Sequence, residues 1–303
     1  MNIKIKYHLM PWEIDYALLS FEKLKKSSYF LSSEDTIHID TILNLSSYIV
    51  DWNKSKLPKE FFIEKYKTIS KLLEWSEHTP IIYDDNKLYG HLDYEKEWID
   101  PKIDYYISIC PDMWFHDHLL FYLIETAKKI EEDYFIITPQ IYKMWDNTWD
   151  VLTNEKYLSI SDQDWDKGDV FDLANFVNTH GLEVKVNTSP AYKWAGWFDL
   201  YSKKFIEELV PVPKHWKGYG PWDFYSMICS SIANKNGVSV KEYILENQLI
   251  FEHSTGTFKD SNFSTYYKDL LYLNDIPNQR KEIEKTFNQD IIDWENNFKN
   301  NTI

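Results

Sequence analysis

The stretch that decides the fold is Ile103–Asp112, IDYYISICPD. Ile103–Ile109 reads as a short buried strand, and Pro111 closes it. One carboxylate, Asp112, stands just past the strand end. In open α/β sheets, ligands occupy the crevice beyond the carboxyl ends of the strands. An acid at this point is therefore placed to hold a metal or a polar group of a ligand.

Toward the N-terminus, Ile3–His8 alternates as a strand, Pro11 and Trp12 break it, and Ile14–Lys26 carries apolar residues at helical spacing. Thr36–Leu45 predicts a second strand, Lys59–Trp75 a second helix, and Pro80–Tyr83 a third strand closed by the turn cluster Asp84-Asp85-Asn86. Glu95–Ile99 predicts a short helix. Toward the C-terminus, Trp114–Ile130 predicts a third long helix, and Tyr134–Thr138 a fifth strand ended by Pro139. Strands alternating with helices predict an α/β fold. Its central sheet is expected to be Rossmann-like, mixed but mostly parallel, with helices on its faces and right-handed crossovers.

The pattern changes after residue 140. Trp145 and Trp149, each followed by Asp, would share one helix face and read as a packing stripe. Asp162, Asp164 and Asp166 imitate the start of a calcium loop. Lys167 replaces its turn glycine and Leu173 its bidentate Glu, so a calcium site is not expected. Leu182–Val186 predicts a strand, Lys193–Tyr201 is apolar around Gly196, and Lys203–Leu209 predicts a short helix. Trp222–Asn234 predicts a helix stopped by Asn236-Gly237, and Gln248–Phe251 a last strand. The polar stretch from Tyr266 to Asn300 predicts a helical tail that packs back on the domain or mediates assembly.

Bulk properties narrow the function classes. The 303 residues suffice for a sizeable core. A net charge of -15, with no long Lys/Arg run, disfavours extended nucleic-acid contact. It still permits a nucleotide diphosphate that arrives with a divalent cation. Only Cys110 and Cys229 occur, too few for a disulfide framework or a cysteine zinc site. The first twenty residues carry charges throughout and lack a signal-peptide apolar block. No run approaches the ~20 apolar residues of a membrane span, so a cytoplasmic location is expected. Aromatic residues make up 17% of the chain, with 13 Trp, more rings than one core holds, which points to exposed faces suited to sugar rings. Neither a G-x-G-x-x-G nor a G-x-x-x-x-G-K-[ST] motif occurs, so dinucleotide and P-loop readings are poor.

Four pieces line up in order and resemble the GT-A-fold glycosyltransferases, especially the family 2-like ones. IDYYISICPD resembles their strand ending in a D-x-D motif. AGWFDLYSKKFIEEL resembles their glycine-containing acceptor-side strand and following helix. GYGPWDFYSMICSSIANKNG resembles the segment G-y-G-x-E-D, and Phe251-Glu252-His253 the late strand ending in a metal-binding His. Cys110 stands where the family's first acid stands, and Trp222 replaces the first acid of the E-D pair.

The resemblance implies a GT-A-like domain over 1–258, with a nucleotide-sugar half at 1–140, an acceptor half at 141–258, and a helical extension at 259–303. It implies sugar transfer from a nucleotide-diphosphate sugar to a hydroxyl acceptor such as a saccharide, assisted by Mn²⁺ or Mg²⁺. By resemblance, Asp112 and His253 are the metal ligands; read from the residues alone, Asp112 equally well caps the following helix. Asp223, opening a helix after a Gly-Tyr-Gly-Pro turn, is the candidate base for an inverting reaction, or a plain helix-start acid. The nucleotide-sugar pocket is expected from His8, Trp12, Asn44, Asp84, Asp85, Asp93, Lys96 and Pro111. Acceptor contacts are expected from Trp194, Gly196, Trp197, Trp216, Tyr219 and Trp222. The alternative is a non-catalytic carbohydrate-binding or assembly protein on a degenerate transferase scaffold.

Overall fold

A computed structural model describes residues 1–84, 92, 98–142, 159–160, 169–170, 184–192, 194, 196, 198–218, 220–252 and 276–302. The expected units β1 (Asn2–Leu9), α1 (Ile14–Ser28), β2 (Thr36–Asn44), α2 (Lys59–Ser70), β3 (Glu77–Tyr83) and β4 (Tyr105–Ile109) follow in order. Then come β5 (Met113–Phe115), α3 (Leu119–Ala127), β6 (Tyr134–Tyr142), the small ribbon β7 (Ser159–Ile160) and β8 (Asp169–Val170), β9 (Val186–Pro190) and β10 (Phe198–Ser202). A π-helical turn at Phe205–Leu209, α4 (Trp222–Lys235), β11 (Val240–Glu252) and α5 (Ile276–Thr302) complete the described chain.

The main sheet runs β3-β2-β1-β4-β10-β6-β11-β5, with β9 also paired to β11. β1, β2, β3 and β4 are mutually parallel, and β6 is parallel to β11. β10 is inserted antiparallel between β4 and β6. The architecture is thus α/β, a mixed central sheet flanked by helices, with a helical C-terminal region. Reversal of β10 has a functional consequence: its start, not its end, lies at the carboxyl edge of the parallel strands.

Period-two alternation sorts the sheet into two cores. Ile3, Ile5, Tyr7 and Leu9 of β1 join Ile107, Phe135, Phe198 and Leu200 in one core, packed against Phe21 and Leu24 of α1, Phe62 of α2 and Leu123 of α3. On the other face, Ile42, Tyr106, Ile136 and Tyr201 pack with Trp98, Trp194, Phe205, Trp216, Trp222 and Tyr225, and with Ile283 of α5. The excess of rings is largely absorbed here, between the sheet and helices α4 and α5.

Four elements differ from the sequence reading. β6 does not end at Pro139 but runs on along β11 to Tyr142, and β9 begins at Val186, the residue at which the expected strand ended. Trp114–Ile130 is not one helix: Met113–Phe115 pairs with the far end of β11, and the helix starts only at Leu119. A short apolar run serves strand or helix equally, and the free edge of β11 decides. β11 is also longer than expected, because its register shifts between Leu245 and Leu249 and breaks the alternation. The stop at Asn236-Gly237 is as expected. Gly237 has φ 89°, and Val238 N donates to Ala233 O at 3.0 Å. A Cβ there meets nothing within 4 Å, so the backbone angle alone selects glycine. Gly237→Ala is expected to cost about 1–2 kcal/mol, read as a lowered denaturation midpoint.

Among the described residues, no helix is long and apolar enough to cross a membrane.

Candidate functional site

The site gathers at the carboxyl edge, where the β4–β5 turn, the start of β10 and the start of α4 meet. The Cys110 thiol donates toward the Gly196 carbonyl at 4.0 Å. A Cβ on Gly196 would lie 3.3 Å from Cβ of Asp223 and 3.6 Å from its Oδ2, so bare backbone at 196 forms the floor under that acid. Asp223 occupies the first turn of α4, where the helix dipole favours a carboxylate. It is exposed. Its Oδ1 accepts from Phe224 N at 2.9 Å, while Oδ2 has no hydrogen-bond partner among the described residues.

Asp112 is buried at 8% exposure, between buried Pro111 and Met113. The structure adds a neighbour the sequence reading missed, Glu13. Its Oε2 accepts from Met10 N at 2.7 Å. Burial, and then the charge of Asp112, hold its carboxyl above the usual range. A buried carboxyl whose proton affinity is raised by a neighbouring carboxylate marks a pocket that favours a positive charge. Magnesium commonly binds through one or two carboxylates plus substrate phosphates, so these oxygen donors fit a hard divalent ion. Among the described residues, no group of three or more His, Cys, Asp or Glu is gathered.

The ends of the first three strands frame the other side. His8 is half-buried. Trp12 is buried in the turn Pro11–Glu13. Asn44 is fully buried, and its Oδ1 accepts from Ser46 N at 3.1 Å, an Asx turn that shapes the loop. Asp84 pairs with Lys59, whose ammonium also lies 5.7 Å from the Trp52 ring. Lys59 is a cation at this edge that the sequence reading had not singled out.

The tryptophans expected to stack on an acceptor are used for packing. Trp194, Trp216 and Trp222 are 4%, 1% and 6% exposed. Trp222 Nε1 donates to Val210 O at 3.0 Å, and its ring meets Tyr201 edge-on. Asp85, Asp93, Lys96, Trp197, Tyr219 and His253 lie outside the described residues, as do Trp145, Trp149 and the Asp162–Asp166 run.

Beneath the edge, a polar row crosses the face that carries α4. Asp40, Lys6, Ser108 and Asp199 stand opposite one another on β2, β1, β4 and β10. Asp199 is fully buried. Its Oδ2 accepts from Tyr201 OH at 3.0 Å, and its Oδ1 has no partner among the described residues. Burial, with the charges of Glu242 and Asp223, keeps the Asp199 carboxyl far above the usual range. Glu242 of β11, also buried, accepts from Thr138 Oγ1 at 3.0 Å, and burial raises its pKa to about 7. The signal for both was an acid at an inward-facing position of an apolar strand.

No protein-family model matches the chain, and no curated protein matches it in sequence. Solved structures match at long distance. Staphylococcus aureus TarS aligns at 10% identity and TM-score 0.45, over 84% of this chain and 37% of that one. TarS 1–349 in complex with UDP-GlcNAc aligns at 9% and 0.45, over 88% and 61%. GalNAc-T7 with UDP, GalNAc and Mn²⁺ aligns at 12% and 0.46, over 84% and 44%. The chain therefore spans between 37% and 61% of the length of these proteins.

Proposed function

We propose that the chain is a GT-A-like glycosyltransferase that moves a sugar from a nucleotide-diphosphate sugar to a hydroxyl of a saccharide or similar acceptor, with inversion. The observation that carries the reading is the meeting of the Cys110–Asp112 turn and Asp223 across Gly196 at the carboxyl edge. One acid then faces the donor and the other the acceptor. In this reading residues 1–140 bind the donor, 141–258 the acceptor, and 259–303 form an extension.

Asp223 Oδ2 takes the proton of the attacking hydroxyl as the glycosidic carbon is attacked from the face opposite the diphosphate. The departing diphosphate gains charge and must be neutralised. Asp112, with Glu13 beside it and His253 from the resemblance, would hold Mg²⁺ or Mn²⁺, which supplies that neutralisation when bound. His8 borders the donor side, with Asn44 and Trp12 buried behind it and Asp84 fixed by Lys59. Exclusion of water falls to the ring-filled face, because Trp194, Trp216 and Trp222 seal the floor of the acceptor side.

A thermal-shift screen of nucleotides and nucleotide sugars, with and without Mn²⁺, tests this directly, starting with UDP and UDP-GlcNAc. A nucleotide at one hundred times its dissociation constant stabilises by about 2.7 kcal/mol, a midpoint rise of about 4 °C for a chain of this size. Asp112→Asn is expected to remove the Mn²⁺-dependent part of that rise. Absence of any nucleotide-dependent shift in the unaltered protein overturns the reading. Glycan binding that needs no nucleotide would instead favour a carbohydrate-binding protein.

A further inference from the structure

We propose that helix α5 is a positioning element for Asp223: one stripe of the helix grips the chain on both sides of that acid and holds it over Gly196. The proposal deepens the transferase reading and rests on Asp223 being the base.

The stripe consists of Ile283, Phe287, Asp290 and Trp294, spaced four, three and four, hence on one helix face. Ile283 meets Gly220, three residues before Asp223. A Cβ at Gly220 would fall 2.5 Å from Ile283 Cδ1 and 2.7 Å from Leu92 Cδ1, so a methyl there must push the buried ends of both side chains aside. Phe287 stacks on Phe224, the residue after Asp223, with centroids 5.9 Å apart and planes at 12°. Its ring also stacks on Trp216, at 5.8 Å and 20°. Asp290 accepts from Trp216 Nε1 at 2.8 Å and lies 3.2 Å from His215 Nε2. Trp294 Nε1 donates to Leu209 O at 2.6 Å, tying the stripe to the turn beneath.

The contacts before and after Asp223 are therefore made by neighbouring side chains of one helix, Ile283 and Phe287. Phe224 remains 55% exposed despite its stack, so α5 rather than the deep core holds it. A general base works only within hydrogen-bond reach of the proton it takes, and a misplacement of about 1 Å costs up to about 100-fold. Phe287 and Ile283 act through Asp223 and are positioning residues.

The test compares Phe287→Ala, Phe287→Tyr, Gly220→Ala and, as a control on the opposite, half-exposed side of the helix, Ile292→Ala. Amide hydrogen exchange is read over 220–226 and over β1, β2 and β4, alongside steady-state transfer. Phe287→Ala and Gly220→Ala are expected to speed exchange at 220–226 by about tenfold while the central strands keep their protection. They are expected to lower kcat by about 10- to 100-fold with donor KM unchanged. Phe287→Tyr, which keeps the ring, and Ile292→Ala should match the parent. Unchanged exchange at 220–226 in both Phe287→Ala and Gly220→Ala overturns the proposal, as does an equal loss in Phe287→Tyr. If Phe287→Ala unfolds, Gly220→Ala presses on the same contact from the other side and decides alone. Should the parent transfer no sugar, the transferase reading fails while the exchange measurement still decides whether α5 holds this turn.

Discussion

Asp223→Asn is expected to reduce sugar transfer by about 10²- to 10⁴-fold, the span typical of a lost general base. In barrier height that is about 3 to 5.5 kcal/mol. Asparagine keeps the size of the side chain, so the close fit over Gly196 persists. Its amide oxygen still accepts from Phe224 N, the bond that Oδ1 makes now. What disappears is the capacity of Oδ2 to receive a proton. The loss should therefore fall on kcat, with donor KM and the nucleotide-induced thermal shift unaltered. Steady-state kinetics with saturating donor makes the measurement. Full activity in Asp223→Asn would remove the acid from the mechanism and leave it as a helix-start residue.

The second large effect concerns stability and pH. Glu242 titrates at about 7 in the fold against an ordinary 4.5, because burial disfavours its charge. Between those values the folded protein binds more protons than the unfolded chain, so stability falls as pH rises through the interval. The cost is absent below pH 4 and complete above the folded pKa, where it reaches about 3 kcal/mol. Asp199, shifted in the same direction, adds to the slope. Glu242→Gln keeps an oxygen for the Thr138 hydroxyl and removes the ionisation. It should match the parent near pH 4 and be more stable at pH 8 by up to about 3 kcal/mol. Denaturant titrations at several pH values read this. An identical pH slope in parent and variant would show that Glu242 does not titrate within the fold. Buried acids at such cost cluster at functional sites, and Asp199 feels the charges of both Glu242 and Asp223.

Much of the framework was legible because the parallel strands carry strong period-two signals and the helices between them carry clear three-four spacing. Ile3, Ile5 and Tyr7 announce β1, and Ala17, Phe21 and Leu24 announce the buried side of α1. The places that misled share a cause: the decisive partner is remote in sequence. Met113–Phe115 becomes a strand because Ile250–Glu252 lies beside it. Tryptophan exposure is likewise set by tertiary packing, so an expectation of open rings at 194, 216 and 222 met closed ones. The chain positions of Asp112 and Asp223 could be picked out, since a turn after an apolar strand and a glycine-rich helix start are local features. The proximity of Asp199 to Glu242, and of Glu13 to Asp112, could not, because an approach between acids remote in sequence leaves no local trace.

The displaced register in β11 sets a phase. Leu245 and Ile250 are an odd number of residues apart, yet both are buried in the same core. An unbroken strand would send them to opposite sides. The segment 246–248 inverts the phase, so the lower half of the strand turns Glu242 toward α4 while the upper half restores Ile250 to the opposite layer. The orientation of the strand up to Glu252 is fixed by that inversion. The length of 246–248 is therefore under tighter constraint than its residue types. A one-residue deletion there would re-aim the whole approach to the carboxyl edge, where a conservative substitution would leave it in place.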